Sequence, residues 1–284
     1  MNEQKNQSAI IRRITKHVQN VLQISNHEHV IIAISGGIDS ATVLYLLNES
    51  IPIEHIHVVH LYYFEESIEN FKTTIKPLNI PKENILLYSI KDAVDTIAKD
   101  LQILGDGSFP PKAPCPQCFR ISDAGGGKRF VQDDRLNKMR LGNIMARVRM
   151  TYLFDQAKKQ NALVCGTENR TENLLGYFTR FGDAASDFEV INHLYKTQVR
   201  AIAKHLHVPE KIIDTSPSAG LWEGQTDEKE LGFSYEEIDT VLRLYFDEKY
   251  SITEMEEKGN TNARKILEVV ERNRFKQEVP YLMK

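Results

Sequence analysis

The octapeptide Ala33-Ile34-Ser35-Gly36-Gly37-Ile38-Asp39-Ser40 constrains this chain more than any other stretch. It follows the apolar run Val30-Ile31-Ile32 and opens into Ala41-Thr42-Val43-Leu44-Tyr45-Leu46-Leu47, so a buried strand turns into a helix across two glycines. Paired glycines let the backbone turn sharply and approach a ligand closely. The hydroxyls of Ser35 and Ser40 and the free N–H groups of the new helix then face whatever occupies the turn, which suits phosphate best. Asp39 adds a carboxylate beside that phosphate, where a hard cation such as magnesium bridges the two. The octapeptide lacks the Gly-Lys-Ser/Thr ending of a Walker loop and the G-x-G-x-x-G of a dinucleotide fingerprint. The plainer alternative is an ordinary glycine turn.

The periodicity on either side sets the fold class. Ile10, Ile11, Ile14, Val18, Val21 and Leu22 recur at helical spacing and predict an amphipathic helix ahead of the first strand. Strands are then expected at 30–34, 56–61, 85–90 and 162–165, with helices at 40–48, 66–75, 92–100 and 136–159 between them. Strands alternating with helices imply βαβ units and a doubly wound parallel sheet flanked by helices, an α/β fold with right-handed crossovers. Ligands in such sheets sit outside the carboxyl ends of the strands, where both the glycine turn and the segment after Cys165 fall. No internal repeat and no linker divides the 284 residues, so a single domain over 1–284 is expected.

Composition narrows the class further. Apolar residues make up 41% and charged residues 26%, the profile of a globular protein. A net charge of −3 gives no basic excess for nucleic acid, and no apolar run approaches membrane-spanning length. The polar start Met1-Asn2-Glu3-Gln4-Lys5-Asn6-Gln7 carries no signal-peptide core. Three cysteines, an odd number, fit a reducing cytosol better than a secreted disulfide framework, so a cytoplasmic location is expected.

Between residues 105 and 135 the alternation breaks into Phe109-Pro110-Pro111-Lys112-Ala113-Pro114-Cys115-Pro116-Gln117-Cys118 and Gly125-Gly126-Gly127-Lys128-Arg129. Such composition reads as an irregular surface excursion, and a mobile lid is the expectation. Cys115 and Cys118 have metal-ligand or redox spacing, but no second pair completes a zinc site. Two readings stay open: loop cysteines without a cofactor, or ligands of a metal or iron–sulfur cluster with Cys165 as a third. Cys165 beside Leu163 and Val164 is most simply a small core residue. His55, His57 and His60 alternate along a strand and read as structural, not as a metal triad. Trp222 either lines a ligand site or packs.

The second informative block starts where the fourth strand ends, at Gly166-Thr167-Glu168-Asn169-Arg170-Thr171-Glu172, and runs on through Arg180 to Asp187. Thr167 is placed to contact a ligand at the strand end, and Glu172 to face the same crevice as Asp39. Two carboxylates converging on a triphosphate would hold Mg²⁺. Together with SGGIDS, the stretches GNIMARVRM, GTENRTENLLGYFTRFGDAASD, LYKTQVRAIAKHL, PSAGLWEGQTDEKELGFSYEEID and FKQEVP resemble the ammonia-dependent NAD synthetases in order and spacing. The turn itself is similar to the pyrophosphate loop of enzymes that split ATP between its α and β phosphates.

The resemblance implies an adenine nucleotide alpha hydrolase-like fold working as a homodimer. It implies that ATP adenylates the carboxylate of nicotinic acid adenine dinucleotide, releasing pyrophosphate, and that ammonia displaces AMP. By position, Ala33, Ile34, Ser35, Gly36, Gly37, Ile38, Asp39 and Ser40 would hold ATP phosphates, with Asp39 and Glu172 on magnesium. Thr167, Lys196 and Ser218 would contact ATP. Arg147, Arg180, Asp187 and Lys276 would contact the dinucleotide, Lys276 closing over the site. Asp39, Glu172 and Lys196 would be the catalytic set, Lys196 and Mg²⁺ supplying positive field to the phosphoryl transition state.

Four positions depart from the family pattern. It usually carries lysine at Arg180, threonine at Ser218, histidine at Phe275 and Gly-Asp-Gly where Gly182-Asp183-Ala184 stands. The 105–135 excursion is also longer than the family norm. The chain lacks a domain of the size needed to hydrolyse glutamine, so free ammonia or a separate glutaminase would supply the nitrogen. Two rivals remain: a related ATP pyrophosphatase that amidates or thiolates another substrate with a cysteine-bound cluster, and a non-catalytic nucleotide-binding regulator.

Overall fold

In the computed structural model of the chain, residues 2–103, 134–218, 220, 225–278 and 280–281 are described. Helix α1 (Asn2–Ser25) leads into β1 (His29–Ala33), α2 (Ile38–Asn48), β2 (Ile56–Tyr62), α3 (Ser67–Ile75), β3 (Ile85–Ser89) and α4 (Lys91–Asp100). Helix α5 (Asp134–Gln160) and β4 (Ala162–Gly166) follow, then α6 (Arg170–Leu175), β5 (Phe188–Glu189) and α7 (Lys196–His205). Five further α-helices follow among the described residues: α8 (Glu210–Ile213), α9 (Asp227–Leu231), α10 (Tyr235–Phe246), α11 (Ile252–Glu257) and α12 (Ala263–Asn273). Four strands fall within a residue or so of the expected positions. The two-residue β5 is too short to show a period and was not expected.

The strands form one sheet in the order β3-β2-β1-β4-β5, every neighbouring pair parallel. The chain winds outward from β1 through β2 to β3, then crosses back to place β4 on the other side of β1. That reversal puts a crevice between the carboxyl ends of β1 and β4, the usual ligand position in a doubly wound sheet. The register sets Ile32 beside Val58 on one side and beside Cys165 on the other, so the two strand ends lie side by side.

Both faces of the sheet are buried, which is why β1 and β2 read as near-continuous apolar runs instead of alternating. Val30, Ile32 and Val58 pack against Ile14 and Val18 of α1, Val43 and Leu47 of α2, and Val199 of α7. Ile31, Val59 and Leu61 pack on the other side against Val94 of α4 and Met145 and Leu153 of α5. A further apolar cluster joins Leu175 of α6 to Ile238, Leu242, Met255 and Ile266 of α10, α11 and α12. This C-terminal packing holds α6, and with it one wall of the crevice. Cys165 is buried in the first core, its Sγ 3.5 Å from the Gly166 carbonyl, and burial raises its thiol well above the usual range. Cys165 therefore fits the small-core-residue reading. Cys115, Cys118, Trp222 and almost all of the 105–135 excursion lie outside the described residues. Among the described residues no helix is long and apolar enough to cross a membrane.

Candidate active site

The glycine turn is built as its sequence demands. Gly36 has φ +91°, and a Cβ there would lie 2.8 Å from Asn70 Cβ on α3, so both conformation and space require glycine. Gly37 is extended and caps α2 without a side chain of its own. The two serines brace the turn from inside. Ser40 Oγ accepts from Ser35 N at 3.2 Å and donates to the Gly37 carbonyl at 3.1 Å, while Ser35 Oγ accepts from Gly37 N at 3.2 Å. The sequence suggests two hydroxyls offered to a ligand; in the structure both are engaged by the turn's own backbone. His60 supports the turn from β2, its Nδ1 donating to the Ile34 carbonyl at 2.6 Å. Its ring stacks on Phe71, and burial lowers its pKa. The structural reading holds for His60.

At the mouth of this turn Asp39, Glu172 and Lys196 meet. Lys196 Nζ donates to Asp39 Oδ2 at 2.5 Å and to Glu172 Oε1 at 2.9 Å, with the lysine side chain only 4% exposed. Two carboxylates from different strand ends thus converge on one buried cation. Burial pulls the lysine down, but the two carboxylates more than offset it and hold the ammonium well above its usual range. Glu172 is pushed up to about 7 by burial, against the pull of Lys196. Once both acids are ionised, the trio carries one excess negative charge. Hard oxygen donors with unbalanced charge fit a cation such as Mg²⁺.

Asn169 ties the acids together and is missing from the sequence reading. Fully buried, it caps α6 by accepting from Glu172 N at 3.0 Å and donates from Nδ2 to Asp39 Oδ1 at 2.9 Å. The signal was present as Asn169-x-x-Glu172, a helix-capping spacing. Lys196 is fixed equally firmly. Its backbone N donates to Thr171 Oγ1 at 2.9 Å, and Thr171 donates to buried Asp239 Oδ1 at 2.5 Å. Asp239 also accepts from Thr197 N at 2.8 Å, so one carboxylate on α10 anchors the start of α7. Behind the lysine, Tyr235 lays its ring 5.0 Å from Nζ and donates its hydroxyl to Asp227 at 2.9 Å. Tyr177 donates to the same acid at 3.2 Å.

A cleft of about 250 Å³ opens beside this centre, lined by Glu168, Phe178, Arg180, Phe181 and Lys276 among others. Lys276 Nζ donates to the carbonyls of Gly176 and Phe178 at 2.7 and 2.9 Å, pinning that loop. Gly176 permits the approach, since a Cβ there would lie 2.6 Å from Asn273 Cβ on α12. Arg147 Nε donates to the Arg180 carbonyl at 3.3 Å, so the two arginines are neighbours. The Arg180 guanidinium lies over the Phe275 ring at 5.1 Å. Arg180 and Phe275, where the resemblance leads one to expect lysine and histidine, therefore form one contact, and a planar guanidinium stacks on an aromatic face better than lysine does.

The other expected residues are placed less centrally. Thr167 lies half-buried between β4 and α6. Asp187 does not line the cleft; its Oδ2 accepts from Val164 N at 2.7 Å and extends the β4–β5 pairing. Ser218 is exposed, its Oγ accepting from Gly220 N at 3.1 Å. Two acids that the sequence reading passed over are prominent instead. Burial lifts Glu168 to about 8, helped by Glu189 and Glu172, and its Oε1 has no hydrogen-bond partner among the described residues. Burial also lifts Glu189 to about 7, where it accepts from Ser186 Oγ at 2.9 Å and Glu168 N at 3.2 Å.

Comparison with known proteins identifies the family. The sequence profile of the NAD synthase family matches residues 10–108 and 119–280. The NH(3)-dependent NAD(+) synthetase of Thermococcus kodakarensis is 37% identical over 276 residues, spanning 96% of this chain and 95% of that one. Among solved structures, the NMN synthetase of Francisella tularensis superposes with a TM-score of 0.75 at 27% identity, covering 98% of both chains. The NH3-dependent NAD synthetase of Campylobacter jejuni, solved with nitrate, shares the fold at a TM-score of 0.71 and 23% identity, over 98% of this chain and 99% of that one. The chain belongs to the NAD synthase family.

Proposed function

We propose that this protein makes NAD from nicotinic acid adenine dinucleotide, ATP and ammonia, releasing AMP and pyrophosphate, and that it works as a homodimer. The observation that carries the reading is the meeting of Asp39, Glu172 and Lys196 beside a glycine turn and next to a cleft lined by Arg180 and Lys276. Asp39 and Glu172 would hold Mg²⁺, which when bound screens phosphate charge and makes the α-phosphorus more electrophilic. The Gly36–Ser40 backbone and the start of α2 face the phosphates. Lys196 is the countercharge of the two acids and stands where its ammonium would also face phosphate oxygens at the turn.

The chemistry divides into two displacements. A carboxylate oxygen of the nicotinate attacks the α-phosphorus, and the bond from that phosphorus to pyrophosphate breaks. The acyl adenylate has a good leaving group where the carboxylate had oxide. The ammonia lone pair attacks the carbonyl carbon, the bond to AMP breaks, and one proton is lost from nitrogen. Arg147, Arg180 and Lys276 supply the cations that hold the anionic substrate. Glu168 faces the same cleft with a carboxyl near 8, a value suited to accepting the released proton.

The likeness to an NMN synthetase favours a second reading, in which the mononucleotide is amidated instead. Purified protein given ATP, Mg²⁺ and ammonium should turn over the dinucleotide with kcat/KM at least about tenfold above the mononucleotide, a difference of about 1.4 kcal/mol in transition-state binding. The reverse order would establish the mononucleotide reading. Turnover of neither, with pyrophosphate released on another carboxylic acid, would refute both.

A further inference from the structure

At the amino ends of β1 and β2, the opposite end of the strands from the phosphate turn, three imidazoles and a carboxylate come together. His29 opens β1, His57 is the second residue of β2, and His55 ends the short 3-10 turn Ile53–His55 that enters β2. The register pairs Ile31 with His57, and strand side chains two residues apart share a face, so His29 and His57 project from the face that carries Ile31 and Val59, while His55 reaches His29 from the 3-10 turn. His60 points to the other face, which separates it from this group.

The geometry is close. The His29 and His55 ring centroids are 4.8 Å apart, and those of His29 and His57 are 5.1 Å apart. Glu28, His29 and His55 each bring one donor atom within 4.8 Å of the other two. Neighbouring donors on a tetrahedral zinc ion stand about 3.3 Å apart, given bonds of about 2.05 Å. Glu28 is exposed and His29 and His55 are half-buried, so small rotations of their side chains suffice to close the gap. His57 Nε2 lies 3.1 Å from His29 Nδ1, holding that ring in place. His57 itself is 5% exposed, and its Nδ1 is buried with no hydrogen-bond partner among the described residues. That atom diverges from the Nε2 that faces His29, so it lies outside the Glu28–His29–His55 group.

We propose that Glu28, His29 and His55 bind one divalent transition-metal ion of the zinc type, with His57 as the positioning residue behind His29. Two imidazoles and a carboxylate are the donor set of zinc sites that keep a fourth position for water, and the exposure of Glu28 leaves that position open to solvent. A partner that orients a ligating imidazole is the usual second layer of such sites. Imidazole donors favour zinc, nickel or copper over magnesium, so this ion is distinct from the one proposed for ATP. The site also stands apart in space, because β1 alone puts about 13 Å between His29 and Ala33. An ion here would clasp the start of β1 to the turn that enters β2.

The test uses untagged full-length protein stripped with chelator, titrated with Zn²⁺ by calorimetry and with Co²⁺ by visible absorbance, without nucleotide. One ion per chain should bind, with intense visible Co²⁺ bands that Zn²⁺ abolishes and excess Mg²⁺ does not. His55→Ala and Glu28→Gln should each weaken binding at least about tenfold, and His57→Leu by a similar factor through His29. His55→Ala should keep wild-type amidation. Asp39→Ala should leave the Co²⁺ spectrum intact. Absence of saturable binding by the wild-type protein would overturn the proposal whatever the variants do. So would unchanged affinity in both His55→Ala and Glu28→Gln, or loss of the spectrum in Asp39→Ala.

Discussion

Replacing Lys196 with methionine tests how the centre is held together. The side chain is 4% exposed and shared between Asp39 at 2.5 Å and Glu172 at 2.9 Å, each of those acids being 17% exposed. Removing one partner of a buried ion pair costs about 3–5 kcal/mol, because the remaining charge is left without compensation. Here the loss depends on pH. Glu172 titrates at about 7 with the lysine present, and the lysine is what pulls it down, so without the lysine it takes up a proton at higher pH. Above pH 7 the variant's folded state therefore holds a proton that the wild type has released. Its destabilisation should grow by up to about 1.4 kcal/mol per pH unit through that window. Urea unfolding of Lys196→Met should show a loss of about 3 kcal/mol near pH 8.5 that shrinks toward 1 kcal/mol near pH 6. Mg²⁺ should restore part of the loss at the higher pH by filling the vacated position between the acids. Turnover should fall about 10²–10³-fold with the loss of this cation from the phosphoryl transition state. A deficit equal at both pH values and insensitive to Mg²⁺ would refute the view that Lys196 compensates these two carboxylates.

Asn169→Ala should cost about 2 kcal/mol in thermal or urea unfolding, from the lost α6 cap and the lost donor to Asp39. Asn169→Asp should recover the cap but not the activity, since it sets a like charge against Asp39. A double-mutant cycle on Arg180→Lys and Phe275→His should give a coupling of about 0.5–1 kcal/mol in kcat/KM for the nicotinate substrate and none in KM for ATP; additivity would mean the stacked pair has no role in binding. Burial holds Glu189 at about 7 and Glu168 at about 8, above their ordinary value of 4.5. Their contribution to stability is therefore complete below about pH 4.5 and is lost as pH rises through 7 to 8. Thermal scans from pH 5 to 9 should show Glu189→Gln losing less than the wild type over that range, by at most about 3 kcal/mol; parallel curves would contradict the raised carboxyl.

The fold was legible wherever local pattern decides structure. Buried strands at 30–34 and 56–61 and the glycine turn announced the winding, and their order implied a crevice at the carboxyl ends. The C-terminal helices were not placed, because their apolar positions face α6 and one another and not the sheet. Within the site, Asp39 and Glu172 could be paired by function, but nothing local shows that Lys196 sits between them. Nor does it show that Asn169 bridges their elements, although its capping spacing was in view. Asp239 and Asp227 act through side chains brought from distant helices, contacts that only tertiary packing creates. The same holds for His55 and His57. Two residues apart on a strand they read as structural, because the third imidazole, His29, comes from the neighbouring strand. Ser35 and Ser40 show the converse: the residue types suggested ligand contacts, while the tight turn engaged both hydroxyls itself.

Labelling the nicotinate carboxylate of the dinucleotide with ¹⁸O and following the label through one turnover tests the central claim most directly. Attack by the carboxylate on the α-phosphorus leaves one labelled oxygen in AMP and none in pyrophosphate, with amide formed only when ammonium is present. That outcome is what a site built from Asp39, Glu172 and Lys196 at the glycine turn predicts. Label in inorganic phosphate with release of ADP would place the attack on the γ-phosphorus and contradict the account.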